Sequence, residues 1–139
     1  MQASSNRKIC AFFDLDKTLL SETTADIYSK YLYKKGHIKR WEMIKASYLY
    51  LKYRLNLLDV ETMMKRFVGG RKGRPESGMI SFCESWFQSA VKDYIYPHAK
   101  EWIENHKNMG HVTAVLSGSI KYTCEPVARF LGIDHCLST

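Results

Sequence analysis

Short, largely apolar runs alternate along the chain with longer stretches in which apolar residues recur every three or four positions. The first run, Ile9 to Phe13, has five apolar residues, the length of a buried parallel strand. Behind capping residues at Ser21 to Thr24, the stretch Ala25 to Lys35 predicts a helix closed by Gly36, with Ile27, Tyr31 and Leu32 facing inward. A longer helix is predicted from about Ile38 to Leu55, which contains neither Gly nor Pro. Its Trp41, Ile44, Tyr48, Leu51 and Leu55 keep one helical stripe, while Met43, Leu49, Tyr50 and Tyr53 lie elsewhere around it. That spread predicts a helix packed inside a bundle. The alternative is a face for a membrane surface or a partner, since Trp and Tyr interleaved with Lys suit an interface.

Asp59 is placed to cap a third helix running to about Val68 and ended by Gly69-Gly70. The basic turn Arg71-Lys72-Gly73-Arg74-Pro75 leads to a fourth helix, Glu76 to about Tyr94, with Ile80, Cys83, Phe87 and Val91 on one face. Proline at position 97 keeps the residue before it extended, so this helix stops short of Ile95-Tyr96-Pro97. The alternation then resumes. A helix follows Pro97 through Met109, capped by Gly110, and His111 to Leu116 reads as a second buried strand. A helix from about Ile120 to Leu131, closed by Gly132, leads into a third strand at Ile133 to Leu137. The order predicts an α/β fold: a Rossmann-like parallel sheet core from residues 1–22 and 95–139, with an all-helical insertion at 23–94.

Composition changes this picture little. A 139-residue chain, 45% hydrophobic and 25% charged, fits one soluble globular domain. No run reaches the roughly 18 apolar residues of a membrane span, and residues 1–8 lack the apolar run of a signal peptide. Cys10, Cys83, Cys124 and Cys136 are widely spaced and predict reduced, mostly buried thiols in a cytoplasmic protein. The five histidines show no metal-ligand spacing. The net charge of +7 comes from dispersed residues without an aromatic-basic module, so no nucleic-acid partner is expected. A solvated basic face is the plainer reading, with attraction of an anionic substrate as the second.

The candidate chemistry sits at the ends of two predicted strands. Directly after the first, Asp14-Leu15-Asp16-Lys17-Thr18 sets two carboxylates at i and i+2, which project to one side of an extended chain. Held that close, one carboxylate tends to keep its proton, or a cation lies between them. The pair suits a nucleophile beside a general acid/base near Mg²⁺, whereas a bare Asp-x-Asp can also be an ordinary polar turn. The second strand ends in Ser117-Gly118-Ser119 and enters a helix. A serine hydroxyl, a glycine that admits close approach and the amides of a helix start form a phosphate site, and a plain N-cap serine is the competing reading.

The Asp-x-Asp-x-Thr segment after an apolar strand resembles motif I of the haloacid dehalogenase superfamily of phosphatases and phosphotransferases. The strand ending at Ser117 is similar to motif II of that superfamily. The resemblance implies that Asp14 attacks phosphorus and forms an aspartyl-phosphate. It implies that Asp16 protonates the leaving group and later activates water, with its backbone carbonyl and the Asp14 carboxylate on Mg²⁺. Thr18 would orient the turn, and Ser117 with the Gly118 amide would hold the phosphoryl group. An acid at position 16 goes with phosphomonoesters, in contrast to the ATPase pumps, which carry Thr there, and to the dehalogenases, which lack the acid. The helical insertion resembles the C1 cap of the phosphoserine phosphatase-like branch, subfamily IB. In that branch a substrate-recognising Glu lies nine residues after the nucleophile. Here that place is Thr23, and Glu22, one residue earlier, is the selectivity candidate; a first-turn acid on a helix dipole is its simpler role.

The motif III lysine and the acidic motif IV of the family have no match after Ser117. Lys121 comes too early, and Asp134 precedes a strand instead of following one. The expectation is therefore a truncated Mg²⁺-dependent phosphomonoesterase with weak metal binding and little activity alone. Its substrate would be a small phosphorylated metabolite or a lipid head group. The alternatives are a phosphotransferase or mutase on the same scaffold, or a non-catalytic module that uses the aromatic cap helix on a membrane or partner.

Overall fold

The computed structural model describes residues 8–55, 57, 73 and 75–138. Three strands, β1 (Cys10–Phe13), β2 (Val112–Ser117) and β3 (His135–Ser138), form one parallel sheet in the order β1-β2-β3. Phe13 lies opposite Val115, and Ser117 opposite Ser138, so all three carboxyl ends point the same way. Five α-helices complete the described residues: α1 (Thr24–Lys34), α2 (Arg40–Arg54), α3 (Glu76–Ser89), α4 (Ala99–Asn108) and α5 (Lys121–Leu131). The third predicted helix, Asp59 to Val68, falls outside the described residues.

The chain divides into two compact units, one of residues 1–27 and 80–139, the other of residues 28–79. In the first unit α4 and α5 pack on one sheet face, which carries Phe13, Thr113, Val115 and Cys136. Ile103 of α4 and Val127 of α5 are fully buried there with Val115. Burying apolar side chains of this size contributes roughly 2 kcal/mol each. The other face presents Phe12 at 59%, Leu116 at 56% and Leu137 at 48% exposure, an open apolar surface on a kind of sheet that usually has both faces covered.

The fourth predicted helix ends five residues earlier than expected, at Ser89, and a 3₁₀ turn spans Val91–Tyr94. The backbone leaves the helical region at Ala90, whose φ is −147°, and a clasp then joins the two crossings of the helical insertion. Ser21 N–H donates to the Tyr94 carbonyl at 2.8 Å, and Tyr96 N–H donates to the Leu19 carbonyl at 3.0 Å. Trp86, which the predicted stripe left out, is buried with Cys83 and Phe87, while Ile80 is 45% exposed. Residues 80–94 therefore cluster with the sheet unit.

The stripe of α2 overturns a second expectation. Trp41, Ile44, Tyr48, Leu51 and Leu55 are 50 to 64% exposed, so among the described residues this stripe is not packed inside a bundle. The thiols also divide: Cys83 and Cys124 are buried, Cys136 is half-buried, and Cys10 is exposed.

Asp134 secures the entry to β3. The Thr113 amide and hydroxyl each donate to its Oδ2 at 2.8 Å, and Lys107 Nζ lies 3.0 Å from Oδ1. These donors, the Thr113 amide first, hold its carboxyl down at about 2. A folded value below the unfolded one of 3.8 gives stability that is present above the unfolded value and lost as pH falls through about 2. Denaturant midpoints should therefore drop between those two values, modestly because the carboxylate is partly exposed. Asp134→Asn should flatten that part of the profile; an unchanged slope would assign the loss to other carboxylates.

Candidate active site

The turn after β1 is built by one unusual residue. Lys17 has φ 60°, the left-handed region that costs a side-chain-bearing residue on the order of 1 kcal/mol. The chain thereby folds back, and the amides of Leu19 and Leu20 both donate to the Leu15 carbonyl at 3.1 and 3.0 Å. Leu15, Leu19 and Leu20 are fully buried and anchor the turn. The polar residues between them stay accessible: Asp14 is exposed, and Asp16 and Thr18 are half-buried. Asp14 Oδ1 accepts the Leu15 amide at 2.8 Å, which steadies the carboxylate at the end of β1.

Asp16 is gripped more firmly. The Thr24 amide donates to its Oδ1 at 2.9 Å, and the Thr24 hydroxyl to its Oδ2 at 3.3 Å. Burial pushes its carboxyl above the ordinary range, and the charges of Asp14 and Asp26 add to that, while the two Thr24 bonds oppose it. The helix that presents Thr24 is capped one residue earlier. Thr23 Oγ1 accepts the Asp26 amide at 3.1 Å and donates to the Asp26 carboxylate at 2.6 Å.

The Ser117-Gly118-Ser119 turn meets this arrangement through the same threonine. Thr24 Oγ1 lies 3.0 Å from Ser119 Oγ, and the Ser119 amide donates to Ser117 Oγ at 3.1 Å. With the Thr24 hydrogen directed at Asp16, the Ser119 hydroxyl is the donor in that contact. A continuous path of hydrogen bonds thus runs Asp16–Thr24–Ser119–Ser117, across the carboxyl ends of neighbouring parallel strands. The carboxyl ends of the strands are the side on which open α/β sheets bind ligands.

Ser117 is not an N-cap. The N-cap of α5 is Ile120, which has no side-chain oxygen and makes no side-chain cap bond. An uncapped helix start favours an anion. Beside it, Gly118 is exposed, and a Cβ built on it would meet nothing within 4 Å. Gly118→Ala should therefore leave the melting temperature unchanged while weakening the retention of any anion that approaches the backbone there. A lowered melting temperature would give the glycine a structural role instead.

The structure brings Asp14, Asp16, Thr18, Ser117 and Gly118 to one end of the sheet, and sets Glu22 half-buried in the bend before α1. Thr24 and Ser119 were missed by sequence reasoning. The only trace of Thr24 was its place among the capping residues, and Ser119 carried no signal beyond the Ser-Gly-Ser spacing. Lys121 and Asp134 are occupied elsewhere, Lys121 beside Glu125 at 3.7 Å and Asp134 with Lys107 and Thr113. As metal donors, the Asp14 carboxylate and the Asp16 carbonyl are hard oxygens of the type Mg²⁺ prefers. Among the described residues no group of three or more His, Cys, Asp or Glu side chains could hold a metal. The donor set fits in kind and is small in number.

The chain is 26% identical over 144 residues to a probable phosphatase of Mycobacterium tuberculosis, covering 95% of this chain and 47% of that protein. It is 24% identical over 133 residues to a histidinol-phosphatase of Neisseria meningitidis, covering 95% of this chain and 60% of that protein. The chain thus spans about half the length of the curated relatives it matches. Its fold is similar to a phospho-aspartyl intermediate analogue of phosphoserine phosphatase, with a TM-score of 0.62 at 22% identity, over 96% of this chain and 56% of that one. The model of the haloacid dehalogenase-like hydrolases matches residues 11–139, nearly the whole chain, and the chain belongs to that family.

Proposed function

We propose that this chain carries the nucleophile and phosphate-binding half of a phosphomonoesterase that works through an aspartyl-phosphate. The observation that carries the reading is the hydrogen-bonded path from Asp16 to Ser117, which ties an acid of raised pKa to an anion-binding turn. In the first step an Asp14 carboxylate oxygen bonds to phosphorus as the bond to the leaving oxygen breaks. Asp16 gives that oxygen its proton. In the second step water attacks phosphorus, Asp16 takes the water proton, and the bond between Asp14 and phosphorus breaks to release phosphate.

Ser117 accepts the Ser119 amide, so its hydroxyl hydrogen serves a phosphoryl oxygen, and the Gly118 amide and the start of α5 add donors. Both Asp16 carboxylate oxygens are engaged by Thr24. This supports its backbone carbonyl, with the Asp14 carboxylate, as the Mg²⁺ ligand. Bound there, Mg²⁺ would supply charge that stabilises the phosphoryl oxygens. Thr18 orients the turn, Glu22 contributes to substrate selection, and the helical segment around residues 23–94 acts as a cap.

With two metal donors and no lysine assigned to the phosphoryl group, the 139 residues alone are expected to turn over slowly. The relatives are named for different substrates, so a small phosphorylated metabolite is the class proposed. The test is phosphate release from a panel of phosphomonoesters, with and without Mg²⁺, beside an Asp14→Asn control. Release that requires both supports the reading. Turnover independent of Asp14 would sink it, as would transfer of the phosphoryl group to an acceptor alcohol in preference to water.

A further inference from the structure

The apolar stripe of α2 has no place in the proposed chemistry. Trp41, Ile44, Tyr48, Leu51 and Leu55 follow one another at intervals of three, four, three and four, and each is at least half exposed. Such spacing lines one side of a helix. A folded protein that leaves five large apolar residues in a row in water has an interaction surface there.

The charges around the stripe select its occupant. Between residues 34 and 57 the chain has seven lysines and arginines and one acid, Glu42. Lys45 Nζ sits 4.0 Å from the Trp41 ring centroid, and Lys52 Nζ sits 4.9 Å from that of Tyr48. The basic heads thus lie against the aromatic members of the stripe. A second copy of the helix would set these lysines against like charge, which disfavours pairing. An anionic bilayer surface accepts both parts. Aromatic and aliphatic side chains enter the boundary between headgroups and acyl chains, and lysines reach lipid phosphates. Beside the stripe, within the same unit, a cleft of about 410 Å³ is lined by Tyr33, Arg40, Met43, Ile44 and Ser47. It adds apolar surface with a cation at hand.

We infer that α2 is a docking helix for anionic membrane surfaces. This goes beyond the phosphatase reading and does not rest on it, because its test reads binding alone. The experiment is flotation of the full chain with phosphatidylcholine vesicles, with and without phosphatidylglycerol, at low and high salt. The chain should float with the anionic vesicles and be released by salt. Trp41→Glu with Tyr48→Glu should lower the bound fraction at least about tenfold. Lys45→Glu with Lys52→Glu should remove the preference for phosphatidylglycerol by a similar factor. All four side chains are exposed or half-exposed, so the circular dichroism of both variants should match the parent. The inference falls if the parent does not float at low salt. It falls equally if binding ignores lipid charge or survives both variants. Sedimentation that shows a dimer abolished by Trp41→Glu, without flotation of the parent, would assign the stripe to a second copy and overturn it.

Discussion

Asp14→Asn will reduce Mg²⁺-dependent phosphate release at least about a thousandfold while the protein melts as before. The size of the effect follows from the proposed role: a carboxamide oxygen does not displace a leaving oxygen at phosphorus, and a proposed metal ligand would lose its charge. The unchanged melting follows from the structure. Asp14 is exposed, and its bond from the Leu15 amide at 2.8 Å can be accepted equally well by an asparagine oxygen. The measurement pairs single-turnover phosphate release with mass spectrometry of the acid-quenched protein. A phosphoryl group on the peptide containing Asp14, absent from the variant, is the expected result. Release that persists in Asp14→Asn would show a different nucleophile.

Asp16→Asn is expected to cost about a hundredfold to ten-thousandfold, the range spanned by loss of a positioned acid/base. Its signature is in the pH profile. Burial, first among the causes, keeps the Asp16 carboxyl protonated to higher pH than a free aspartate, which suits a group that must donate a proton. The two Thr24 bonds act in the opposite direction, since they favour the ionised form. Thr24→Val removes the hydroxyl bond and keeps the amide bond. The Asp16 value should then rise further, and the alkaline limb of the rate should move to higher pH. In Asp16→Asn the limb should vanish. A limb that moves down in Thr24→Val would show that another group governs it.

The core of this protein was legible in the sequence because its elements are marked locally. β1 is an unbroken apolar run and β2 is apolar but for Thr113 and the closing Ser117, and short runs of that kind mark parallel strands, although one face of β1 is open. Gly132 announced the end of α5: its φ is 72°, and the Gly132 and Ile133 amides return to the Arg129 and Ala128 carbonyls. Asp14, Asp16, Ser117 and Gly118 could be read for the same reason, since each stands at the end of a strand.

Thr24 and Ser119 belong to a different category. They lie 95 residues apart in sequence, and only the fold makes them partners at 3.0 Å. A threonine at a helix start reads as a cap whether or not it also holds an acid. The clasp after α3 was likewise hidden, because its partners, Leu19 and Ser21, lie on the other side of the insertion.

The stripe on α2 shows the same division. Periodicity revealed that Trp41, Ile44, Tyr48, Leu51 and Leu55 share a side, and nothing in a period says whether that side meets a core or water. What the sequence determined by itself was the α/β order, the strand ends and the chemical types gathered there, all set by local sterics and hydrophobic pattern. What only the tertiary structure decided was which donors reach Asp16, where the insertion is clasped, and which apolar face stays open. Those outcomes depend on contacts between residues far apart in the chain, whose energies no local pattern encodes.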